Sequence, residues 1–207
     1  MRSMGPLSRR QLLVGLAGVS ALGLAGCGGS EESDGSLYVV GDSITAADSD
    51  LAALSFAEAS WVAHLDPRLN VVGAWAAAGA TTEDMANGVE RSDAHTLVVL
   101  TGASDVGRVA FERTAYYLEE IIDRVRARRV VVSTLPPRDP LPQLHTQFNQ
   151  NLGLLTKDKG WRLCDPMEGV RSGVLWAPGM SDDGVHPTAA AASRIGQALS
   201  ECLLDAS

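Results

Sequence analysis

The sequence predicts an α/β protein: a three-layer α/β/α domain around a five-stranded parallel sheet. Two observations carry that expectation. Five short runs are apolar throughout, which suits strands covered on both faces, whereas a half-exposed strand would alternate. Between them lie longer stretches with helical spacing, so strand and helix alternate along the chain.

The first run, Leu37–Val40, leads into "GDSIT", Gly41 to Thr45. Residues Leu54 to Leu65 are expected to be helical, followed by a second strand at Leu69–Val72. A third strand is expected at Thr96–Leu100, and then the clearest helix, Phe111 to Arg129. There Phe111, Ala115, Leu118, Ile122 and Val125 fall three or four apart and share one face. Val130–Thr134 is the fourth strand. Phe148, Leu152 and Leu155 form a further apolar stripe before the fifth strand, Trp161–Cys164. Thr188 to Leu204 is Ala-rich and begins just after Pro187, a good helix start. Neither an internal repeat nor a second domain is visible. The folded domain is therefore read as 37–207.

What precedes it has a different composition. Met1 to Arg10 is basic, Gln11 to Gly26 is apolar and Gly-rich, and "LAGC" follows at Leu24 to Cys27. A positive start, a short apolar core and small residues before a cut point describe an export signal. The apolar stretch falls short of the ~20 residues that cross a bilayer. "SRRQLL", Ser8 to Leu13, looks like a twin-arginine export motif, and "LAGC" looks like a bacterial lipobox. Residues 1–26 are thus read as a signal peptide, Cys27 as the lipidated N-terminus, and 27–36 as a small, polar tether. A lipid anchor on the outer face of the membrane follows, because two or more acyl chains attach stably where one does not.

The formal net charge is −8, and it becomes −11 once Arg2, Arg9 and Arg10 leave with the signal. Such an acidic protein is a poor partner for nucleic acid, whose binding draws on Lys and Arg at phosphates. Cys164 and Cys202 lie in apolar surroundings. Buried free thiols are the default expectation, although export permits a disulfide. His64, His95 and His145 form no His-x-x-x-His or Cys/His pattern, so neither a metal site nor a cofactor is expected.

Ligands of parallel sheets bind beyond the carboxyl ends of the strands. Ser43 stands at the end of the first strand. A serine needs a base to take its proton, and the base needs a group that holds its tautomer. "DDGVHPT", Asp182 to Thr188, offers both: Asp183 and His186 are three apart, with Gly184 allowing a tight turn. Alone each signal is weak, and a turn is the ordinary alternative. Their joint placement, at the first strand and before the last helix, is stronger. No Gly-x-Ser-x-Gly elbow is present. Acyl transfer also needs donors for an oxyanion. Ser43 N–H is one candidate, Gly79 in "AAAGATTEDM" after the second strand is another, and "LTGASDVG" brings Gly102, Ser104 and Asp105 to the same edge. Trp176 either lines the pocket or packs. "PPRDPLP", Pro136 to Pro142, either walls the cleft or is a rigid connector.

Together these blocks resemble the SGNH (GDSL-type) hydrolases, a family of serine esterases, over Leu37 to about Leu204. "GDSIT" resembles the first block and "AAGATT" the second. "GASDV" resembles the third, and "DGVHP" the last. The resemblance implies a flavodoxin-like strand order, Ser43, Asp183 and His186 as the catalytic triad, and an oxyanion hole from Ser43, Gly79 and the third block. That block usually carries asparagine; here the position is Ser104, whose hydroxyl donates from a shorter arm. The implied activity is hydrolysis of carboxylic esters on small molecules, lipids or glycans by a monomer. Two alternatives stay open: an envelope-binding lipoprotein without turnover, and acyl transfer to a glycan hydroxyl.

Overall fold

In a computed structural model of the chain, which describes residues 35–205, five strands form one parallel sheet. They are β1 (Ser36–Gly41), β2 (Asn70–Ala76), β3 (Thr96–Leu100), β4 (Arg129–Ser133) and β5 (Arg162–Cys164), in the order β2-β1-β3-β4-β5. β1 lies between β2 and β3: Gly41 pairs with Ala76 on one side and Leu100 on the other. Every residue of β3 is buried, and Val98 and Val99 are fully enclosed, as its unbroken apolar run requires. The proposed signal, lipobox and most of the tether lie outside the described residues. Among the described residues no helix is long and apolar enough to cross a membrane.

Helices α1 (Ser43–Ala46), α2 (Thr82–Gly88), α3 (Phe111–Val125), α4 (Pro142–Lys159) and α5 (Ala189–Leu204) connect or follow the strands. α2, α3 and α4 pack in succession, while α5 packs on the turn carrying Trp61. α3 buries Thr114, Leu118, Ile121 and Val125, so its inward face is rotated slightly from the expected stripe. Leu118 and Val125 are common to both, and Phe111 is only partly covered. The helix stops where Arg126 turns left-handed at φ 60°.

Two expectations are corrected. Residues 54–65 do not form a helix. Leu54 has φ 51°, and only Trp61–His64 make a single 3-10 turn, capped by Ser60. The reason is tertiary: Ser60 Oγ donates to the Thr45 carbonyl at 2.6 Å and Trp61 Nε1 to Thr45 Oγ1 at 3.0 Å, pinning the segment across α1. The default expectation of free thiols also fails. Cys164 and Cys202 form a disulfide, Cα–Cα 6.2 Å, because the last residue of β5 lies beside the final turn of α5. Trp176 is packing: only 7% exposed, it sits in the core.

Candidate active site

Gly41 ends β1 because there is no room for more. A Cβ there would strike Thr45 Oγ1 and come within 2.9 Å of the Leu100 carbonyl. The chain then turns at Asp42, which caps α1 by accepting from Ile44 N–H at 3.0 Å. Ser43 is therefore the first helical residue, so its N–H has no intrahelical acceptor. Asp42 is fully buried, and among the described residues its Oδ2 has no hydrogen-bond partner. Burial above all raises its pKa to about 6, against the lowering effect of Ile44 N–H and the His186 ring.

His186 comes to this turn from the far end of the chain. Its Nε2 lies 3.1 Å from Ser43 Oγ, and its Nδ1 lies 2.8 Å from Asp183 Oδ2. A carboxylate only accepts, so Nδ1 carries the proton and Nε2 is left to accept from the serine hydroxyl. Asp183 Oδ1 also accepts the N–H groups of Val185 and His186, at 2.8 and 2.7 Å. These bonds, led by that from the His186 ring, hold the Asp183 carboxyl well below the usual carboxylate range. The loop is fastened on several sides. Ser181 Oγ donates to the His186 carbonyl, Thr188 N–H to Met180 O, and Asp139 N–H to Gly184 O. Asp139 Oδ1 in turn accepts from Trp176 N–H at 3.0 Å.

The remaining predicted residues converge on the same rim. A cavity of about 420 Å³ is lined by Ser43, Gly79, Ser104 and His186, with Pro136, Pro137 and His145 opposite. The proline loop is thus a wall of the cleft. Gly79 has φ +72° with open space around its Cα, so conformation, not crowding, calls for glycine. Among the described residues, neither the Ser43 and Gly79 N–H groups nor the Ser104 hydroxyl bonds to a protein partner. Such an arrangement can activate a serine hydroxyl and present donors beside it.

Asp105 does something else. It is 1% exposed and accepts from Thr82 Oγ1 at 2.6 Å and Thr114 Oγ1 at 3.0 Å, with Thr82 N–H at 3.3 Å. It ties the start of α2 to α3 and so holds the Gly79 and Ser104 loops in register. α2 itself was not anticipated, though Thr81-x-x-Asp84 forms a full capping box. Arg108, Arg138 and His145 also reach the cavity, which no local pattern signals.

The sheet has a flavodoxin-like strand order, and Ser43, His186 and Asp183 form one chain of hydrogen bonds at its rim. The model of the GDSL-like Lipase/Acylhydrolase family matches residues 39–194, and the chain belongs to that family. Solved structures with the same fold include the lipase/acylhydrolase from Enterococcus faecalis, 18% identical at TM-score 0.64, covering 83% of this chain and 96% of that one. A GDSL-like lipase from Bacteroides thetaiotaomicron is 14% identical at TM-score 0.66, covering 84% and 90%. A lipolytic G-D-S-L family member from Veillonella parvula is 14% identical at TM-score 0.59, covering 81% and 96%. No curated protein matches the chain.

Proposed function

We propose that the protein is a serine esterase acting through an acyl-enzyme on Ser43, anchored by a lipid on Cys27 at the outer face of the cell membrane. The observation that carries the reading is the Ser43 Oγ–His186 Nε2 contact of 3.1 Å, bridging residues 143 apart, backed by Asp183 on the other ring nitrogen. His186 Nε2 takes the hydroxyl proton as Ser43 Oγ bonds to the ester carbonyl carbon. Asp183 steadies the imidazolium. The oxyanion is held by the N–H groups of Ser43 and Gly79 and by the Ser104 hydroxyl. The C–O bond then breaks, and the alcohol leaves with the proton from His186. Water repeats the sequence on the acyl-enzyme and releases the carboxylic acid.

A fluorophosphonate probe tests this directly. It should label the full chain at Ser43, with labelling abolished in Ser43→Ala and strongly slowed in His186→Ala. Equal labelling of wild type and Ser43→Ala would refute the assignment. The alternative of a binding protein without turnover is favoured by Ser104 alone, since one missing oxyanion donor typically costs ~10²–10³ in turnover. A Ser43-dependent burst with an activated ester would exclude it.

A further inference from the structure

Two cavities open on Ser43, and their chemistry differs. One, about 560 Å³, is lined largely by alanines (Ala46, Ala47, Ala59, Ala76 and Ala77), with Asp48 the acidic member. The other, the 420 Å³ cavity of the Gly79 and Ser104 donors, carries two guanidinium groups, Arg108 and Arg138. Cations gathered at this spot run against the acidic balance of the chain as a whole.

Neither guanidinium is neutralised. Among the described residues, no carboxylate lies within ion-pairing distance of Arg108 or Arg138. Arg138 is partly buried. Its Nη1 donates to the Ala103 carbonyl at 3.0 Å, while its Nε is buried with no acceptor. The titratable groups beside Arg138 form no ion pair with it among the described residues. His145 Nδ1 lies 3.1 Å from the Pro136 carbonyl, and burial above all, joined by the Arg138 charge, lowers the pKa of the ring. The Asp139 carboxylate, next in the chain, forms no ion pair with Arg138; its Oδ1 accepts from Trp176 N–H at 3.0 Å. A partly desolvated guanidinium is costly without an anion, and its planar fork suits a carboxylate or phosphate.

From this asymmetry we propose that the substrate is an ester carrying an anionic group, carboxylate or phosphate. Arg138 and Arg108 hold that group, while an apolar part of the ester occupies the alanine-lined side. The proposal rests on Ser43 being the nucleophile between the two cavities. Arg138 sets specificity and also braces the third-block loop through Ala103; the exposed Arg108, whose guanidinium has no hydrogen bond among the described residues, acts on the anion alone.

Matched esters test it on the full chain. On the acyl side, para-nitrophenyl monosuccinate is compared with para-nitrophenyl butyrate. On the alcohol side, para-acetoxybenzoate is compared with phenyl acetate. In one of the pairs the anionic member should win in kcat/KM by about tenfold or more at low salt, and less at high salt. The winning pair tells which half of the ester carries the anion. Arg138→Gln and Arg108→Gln should each shrink that ratio severalfold, with Arg138→Lys restoring part of it. If Arg138→Gln fails to fold, the exposed Arg108→Gln still decides. Equal or better use of the neutral ester in both pairs overturns the proposal, and so does a ratio that survives both substitutions.

If no ester turns over and the phosphonate leaves Ser43 unlabelled, the nucleophile assignment falls by itself. Calorimetry on Ser43→Ala then decides the anion site. Binding of the monosuccinate or the acetoxybenzoate that disappears on adding Arg138→Gln supports it, and absence of binding to both overturns it.

Discussion

At the scale of single residues, Ser104 and Asp42 make the sharpest predictions. If the Ser104 hydroxyl is a short-armed oxyanion donor, Ser104→Asn should raise kcat by about tenfold with KM little changed, since the donor engages only the transition state. Steady-state kinetics on an activated ester checks this. Asp42 couples the site to stability. Its carboxyl titrates at about 6 in the fold against 3.8 when free. A raised acid pKa means the native state holds the proton more tightly. This group therefore favours folding below the unfolded pKa, and that contribution is lost as pH rises toward 6. Urea unfolding at pH values across this window should show Asp42→Asn gaining on wild type as pH rises. A constant difference would mean that Asp42 is not desolvated. Both residues lie within motifs that the sequence advertises, yet neither property can be read there, because desolvation and reach depend on neighbours far along the chain.

At the scale of elements, the site is assembled by loops that share fastenings. Asp105 joins α2 to α3 through Thr82 and Thr114, and so governs where the Gly79 and Ser104 loops lie. Asp105→Ala leaves buried donors unpaired and should cost roughly 2–4 kcal/mol, with activity falling alongside. Denaturant unfolding measures the first and ester turnover the second. The strands and the long helices were legible because apolar runs and three-to-four spacing are local signals. Residues 54–65 mislead for the opposite reason: their pattern is helical enough, but hydrogen bonds to Thr45 fold them into a turn.

At the scale of the whole molecule, the disulfide closes the far edge of the sheet onto the last helix. Cys164 and Cys202 are 38 residues apart. A loop of that size restrains the unfolded chain by about 2–4 kcal/mol. Cys202→Ser, or reduction, should lower Tm on the order of 10 °C. Thermal melts with and without reductant give the answer, and unchanged melting would show the bridge contributes nothing. α5 matters doubly, since it anchors both this bridge at its end and the His186 turn at its start.

What the sequence determined by itself is the succession of the five strands and the three long helices, and the residue types offered to chemistry: Ser43 ending a strand, and Asp183 with His186 in one turn. Those follow from periodicity and turn chemistry within a few residues, which act locally. The tertiary structure alone decided which of these groups meet, that Asp105 is a buried brace, that Cys164 and Cys202 are bonded, and that Arg108 and Arg138 line a cavity with Ser43. Each of these is a contact between distant stretches of chain. It exists only once burial of the sheet has brought the strand ends to a common edge.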